Sequence, residues 1–180
     1  MLVHRPFGMP AAGCCAFLLI AALSGAAQSL PADEDPNKGE TISYKTQSAP
    51  FCGPCDTIAL TVFWDGRVRV EHGYWAGHYQ DWRVVRRTVH VPADRVAAFR
   101  ARLAPYRPEG AQFLDDSPQC EEFLTDQHGV SIAWTGEGTS ARLVYNYGCD
   151  PTSRAAMAKA LSTAPDLLGM KLDLSPARAR

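Results

Sequence analysis

Asp56-Thr-Ile-Ala-Leu-Thr-Val-Phe-Trp-Asp-Gly-Arg-Val-Arg-Val-Glu71 decides the fold class. Apolar and polar residues alternate with period two, β-branched side chains dominate, and Asp65-Gly66 interrupts the pattern, so the stretch is expected to form a β-hairpin. Side-chain parity sets the register. Ile58, Leu60 and Val62 share one face of the first strand, and Val68 and Val70 share one face of the second. A two-residue turn at Asp65-Gly66 would set the apolar face of one strand beside the charged face of the other. A three-residue loop, Trp64-Asp65-Gly66, instead pairs Val62 with Val68 and Leu60 with Val70, and puts Gly66 where a positive φ is wanted. Thr57, Thr61, Arg67, Arg69 and Glu71 then form the wet face.

Immediately before the hairpin stands Phe51-Cys-Gly-Pro-Cys55. Cys-Gly-Pro-Cys is the active-site string of thioredoxins, where a helix opening at the motif stabilises the attacking thiolate. Here the motif leads into a strand, so that helix is not expected. With Cys120 and Cys149, the pair makes four cysteines beyond the N-terminal leader. An even count in an exported chain points to two disulfides, with three connectivities open. The favoured set joins Cys52 to Cys55 and Cys120 to Cys149; a crossed set is the rival. Loop-closure entropy gives about 3–4 kcal/mol for the bridge from 120 to 149 and about 2 kcal/mol for the short one. A four-thiol zinc site is disfavoured, because the second pair lacks the close spacing of a zinc ribbon. No metal or other cofactor is expected.

The leader sets the expected compartment. Arg5 supplies positive charge, Cys14 to Leu23 is wholly apolar, and Ser24-Gly-Ala-Ala27 offers small residues for cleavage, the three parts of a secretory signal peptide. The apolar run is too short for a membrane span, which takes about 20 residues, and no lipid-attachment cysteine follows it. The expected product is a periplasmic or secreted protein with no membrane anchor. The organisation expected is a signal peptide at 1–27, a flexible lead at 28–40, one domain at 41–170 and a loose tail at 171–180. The whole chain of 180 residues carries a net charge of −1; without Arg5, 17 basic residues face 19 acidic ones. Such a balance provides no broad field to attract nucleic acid or anionic membrane.

Further along, Trp82 to Val91 is a third strand candidate. Pro92 opens a helix to about Leu103, with Val96, Phe99 and Leu103 on its packing face. Residues 104–119, with Pro105, Pro108, Gly110 and Pro118, look like a long irregular connection. A second hairpin follows: Val130, Ile132 and Trp134 alternate, Gly136-Glu-Gly-Thr139 turns, and Leu143, Tyr145 and Tyr147 alternate back. Asp150-Pro151 is placed to cap a last helix to about Thr163. The fold class expected is α+β, an antiparallel sheet of two hairpins plus an extra strand, backed on one face by two helices. Over about residues 41–165 this arrangement resembles a family of small bacterial exported domains of unknown function, with a paired-cysteine lead into an Asp-Gly hairpin. The resemblance implies the fold class and carries no activity with it.

Candidate chemistry is sparse. His72-Gly-Tyr-Trp-Ala-Gly-His-Tyr-Gln-Asp-Trp82 gathers rings around two glycines and reads as a loop. Flat rings suit a sugar face or a protein partner, so Trp75, Tyr79 and Trp82 are the expected ligand contacts. The competing reading is a lid over the core's edge. Arg83, Arg86 and Arg87 form a small basic patch that a solvated strand face explains. Asp115, Asp116, Glu121 and Glu122 lie in a Pro-bounded loop and read as solvated charge. No phosphate loop or G-x-S-x-G elbow is present. The class expected is a non-enzymatic binding or structural module with an unknown protein or carbohydrate partner. The alternative is a periplasmic thiol–disulfide oxidoreductase with Cys52 and Cys55 as catalytic residues.

Overall fold

The computed structural model describes residues 38–49, 56–76, 81–115 and 118–170. Outside them lie residues 1–37, where the signal peptide is expected, Cys52, Cys55, Gly77, His78, Tyr79, Asp116 and the C-terminal ten residues. Every described residue belongs to one compact unit.

Strand β1 (Thr41–Gln47) is followed by β2 (Thr57–Val62) and β3 (Arg67–Ala76), the hairpin that the alternating stretch predicts. Its register is the three-residue-loop solution: Val62 faces Val68 and Leu60 faces Val70. The Phe63 backbone N–H donates to Arg67 O at 2.9 Å and closes the loop. Gly66 takes φ 86°, and its carbonyl accepts from the Val91 N–H at 2.8 Å. A Cβ there would stand 2.8 Å from the Val91 carbonyl oxygen, so glycine is required by both dihedral and space.

Next come β4 (Asp81–His90), helix α1 (Ala93–Leu103) and a 3-10 turn (Ala104–Tyr106). The chain continues through β5 (Ala111–Leu114), β6 (Gly129–Gly136), β7 (Thr139–Asn146) and helix α2 (Ala155–Thr163), which runs on as a 3-10 turn (Ala164–Leu168). The fold is α+β, but the strands do not form two hairpins with one addition. They make a single seven-stranded sheet in the order β4-β3-β2-β1-β6-β7-β5. β1 joins the two hairpins by pairing antiparallel with both β2 and β6. The supposed irregular connection contains β5, which pairs parallel to β7 and makes the sheet mixed. Four residues are too few to show a period in the sequence; what holds β5 is the hydrogen-bonding edge of β7 and the burial of Leu114 beside Tyr145.

Alternate residues along the strands are buried: Ile42 and Tyr44, Leu60 and Val62, Val68 and Val70, Ile132 and Trp134, Leu143 and Tyr145. Val96, Phe99 and Leu103 of α1 and Leu161 of α2 join them in one core. The Tyr44 hydroxyl donates to Leu161 O at 3.2 Å, fastening β1 to α2. Burial pushes the Tyr44 hydroxyl pKa far up, with Tyr147 adding to the shift.

Glu40 corrects the flexible-lead boundary. It is 9% exposed, and its carboxylate accepts from Arg100 at 2.7 Å and from Arg107 at 2.6 Å. Arg100 also donates to the Glu40 carbonyl at 2.7 Å. The folded domain therefore includes the residue before β1.

Asp150 does not cap α2, which starts at Ala155. With φ 49°, it turns back on the loop instead: one carboxylate oxygen accepts from the Glu122 N–H at 2.8 Å, the other from Arg154 at 2.9 Å. The Glu122 N–H, then Arg154, hold its pKa below the usual carboxylate value. A depressed pKa stabilises the fold fully above the unfolded value, near pH 4, and that contribution is lost as pH falls through the folded value. Asp150→Asn should therefore melt below wild type at pH 7, and the gap should narrow below about pH 4. Melting midpoints at pH 7 and pH 3 check this.

Candidate functional site

The predicted aromatic loop is mostly strand. β3 extends to Ala76 and β4 begins at Asp81, so Trp75 and Trp82 stand directly opposite each other. Their ring centroids are 5.3 Å apart at 70°, an edge-to-face pair, with 39% and 42% of their surfaces exposed. Tyr79, the third expected contact, lies outside the described residues. Strand parity then divides the remaining rings. His72 and Tyr74 point to the opposite side, 5.2 Å apart, and His72 is buried. Gly73 is not a bend. A Cβ there would collide with the Trp82 indole and stand 2.7 Å from the Thr57 hydroxyl, so glycine clears the place in which Trp82 lies. The signal for this division was present in the sequence: 72 and 74 have one parity, 75 the other.

The basic patch divides the same way. Arg86 shares a face with Glu71 and pairs with it at 3.1 Å, while Arg83 and Arg87 stand on the other face of β4. Nearly all of β4 is exposed, including Val84 and Val85. Its arginines suit an edge strand, where charge discourages pairing with a further chain.

Cys120 and Cys149 are joined, with S–S 2.00 Å and Cα atoms 5.2 Å apart. The bond leaves no set of four thiols for zinc and rules out the crossed pairing. It clamps the 120–124 segment beside 148–150, where Phe123 bridges Cys149 and the Leu124 N–H donates to Gly148 O at 2.9 Å. Cys52 and Cys55 lie outside the described residues. The residue after Cys55 is described, however: Asp56 meets the His72 imidazole at 2.9 Å. β2 begins at Thr57, so a strand follows the thiol pair. Asp56 also lines a cavity of about 260 Å3 with Tyr44, Thr46, His128 and Tyr147. Among the expected carboxylates, Glu121 and Glu122 are exposed.

Sequence reasoning missed a second concavity, of about 390 Å3, between α1 and the turn that carries Trp64. Trp64 and Trp134 line it together with Arg100, Arg107 and Glu40, whose charged groups already bond one another. Among the described residues, no group of three His, Cys, Asp or Glu side chains is placed to hold a metal ion, and no helix is long and apolar enough to cross a membrane.

In comparisons with protein-family models and with curated proteins, the chain matches none.

Proposed function

We propose that this is an exported, disulfide-stabilised binding module without catalytic activity, which holds a protein or carbohydrate partner on Trp75 and Trp82, with Tyr79 as a further contact. The observation that carries the reading is the indole pair, presented about two-fifths exposed by opposite strands. Helix residues Val96, Phe99, Leu103 and Leu161 join the core with the alternate strand residues Leu60, Val62, Val68 and Val70, whose parity is opposite to that of Trp75. Paired strands hold the rings at little cost in side-chain entropy, and indoles are frequent centres of binding energy. Export rests on the leader pattern, with the Cys120–Cys149 bond in keeping. The resemblance of residues 41–165 to exported domains of unknown function belongs to the same proposal.

Trp75→Ala tests the reading without knowledge of the partner. A contact residue of this exposure is expected to cost stability about 1 kcal/mol or less, while a lid over the core would cost about 3–5 kcal/mol. A melting midpoint that falls by the larger amount ends the binding role.

One observation favours a second reading, thiol–disulfide exchange by Cys52 and Cys55. Cys55 directly precedes Asp56, whose carboxylate meets the buried His72 imidazole at 2.9 Å, and such groups can exchange protons with a thiol. Against it stands the strand at Thr57 in place of an activating helix. The full chain is expected to show no turnover in an insulin-reduction assay. Robust turnover that disappears in Cys55→Ser would reverse the preference.

A further inference from the structure

We infer that the sheet face bearing the indole pair is a docking surface for an extended polysaccharide rich in carboxylates; the inference rests on the binding-module reading and names its ligand class. Arg69, Thr61, Ser43, Ala133 and Arg142 stand opposite one another in turn across β3, β2, β1, β6 and β7. Four strand spacings separate the two arginines, roughly 19 Å at about 4.8 Å per strand. Between them run only small side chains, two of them hydroxyls. In the adjacent row Lys45 lies between Ala59 and Ser131. Ser43, Lys45, Arg69 and Arg142 are exposed.

Charge on this face is one-sided. Glu71 is the single carboxylate on its described strands, and Arg86 already pairs with it. Arg67 pairs with Asp65 of the turn. Among the described residues, no ion pair neutralises Lys45, Arg69 or Arg142. A chain whose overall charge is near zero thus places three cations without a described ion-pair partner on one face of the sheet. Their spacing exceeds a single sugar and suits a polymer with repeated anionic groups.

The chemistry between the cations selects the polymer. Single-stranded nucleic acid is held by rings spaced along the groove, one for each successive base. Here Phe63 lies under the guanidinium groups of Arg67, at 4.9 Å, and Arg69, at 6.0 Å, while Phe113 lies under Arg142 at 5.9 Å. The middle of the face carries no ring. Hydroxyls of Thr61, Ser43 and Ser131 match sugar hydroxyls, the arginines match carboxylates, and the two indoles at the end of the face suit an apolar sugar face.

Gel retardation of the full, oxidised chain in matrices of alginate, neutral dextran, polyglutamate or single-stranded oligonucleotide tests this. Alginate should retard the protein most, and less as salt is raised. The double variant Arg69→Glu, Arg142→Glu should weaken retardation by about tenfold or more. Both side chains are exposed, so its melting midpoint should match wild type; Arg69→Gln, Arg142→Gln provides a milder version if the reversal disturbs folding. No retardation by alginate, undiminished retardation of both double variants, or equal or stronger retardation by polyglutamate or oligonucleotide overturns the inference. Loss in the arginine variants with retention in Trp75→Ala supports it and counts against the indole pair. Loss in Trp75→Ala alone overturns it and leaves the indole pair standing.

Discussion

Cys120→Ser is expected to lower the unfolding free energy by about 3–4 kcal/mol, or roughly 10 °C in melting midpoint. The bond spans 29 positions, so its loss frees a long loop in the unfolded chain. The same loop is held in the native state by the Phe123–Cys149 bridge and by the Asp150 carboxylate on the Glu122 N–H, and these weaken when the loop can open. Cys120 is the better site to change, because it is only partly buried while Cys149 is fully enclosed in the core. Urea unfolding of the variant beside wild type measures the loss. A variant within about 0.5 kcal/mol of wild type would mean that the surrounding hydrogen bonds alone order the segment.

Glu40→Ala should cost about 3 kcal/mol, an effect of nearly the same size. Its carboxylate stands between two guanidinium groups, and Arg100 is itself only 10% exposed along its side chain. Removing the shared anion leaves Arg100 charged, mostly buried and beside a second cation. The cost is chiefly this uncompensated charge rather than the lost attraction. Arg107, at 33% exposed, can turn toward water, so the expected figure sits at the low end for buried pairs. The double variant Glu40→Ala, Arg100→Met should recover part of the loss, because it removes the stranded charge as well. Urea unfolding of both variants decides it; no recovery would place the cost in the carboxylate's packing instead.

Much of the candidate site was legible in the sequence, and its arrangement was not. Trp75 and Trp82 stood out as excess rings beside a hairpin, but their T-shaped contact depends on the β3–β4 register and on the space that Gly73 leaves for an indole. The cations Lys45, Arg69 and Arg142 come from β1, β3 and β7, separated by long stretches of chain, and no local pattern marks them as neighbours.

The sequence by itself determined what short-range chemistry controls. Alternation placed β2, β3, β6 and β7; Asp65-Gly66 selected the three-residue loop; the spacing of Val96, Phe99 and Leu103 set the buried face of α1. Each of these follows from contacts within one hairpin or one helix. Only the tertiary structure decided that β1 joins the hairpins into one sheet, that β5 runs parallel at its edge, that Glu40 belongs to the core and that Cys120 meets Cys149. Those choices rest mostly on partners between about 30 and 90 residues apart, whose pairing gains free energy only once the intervening chain is ordered.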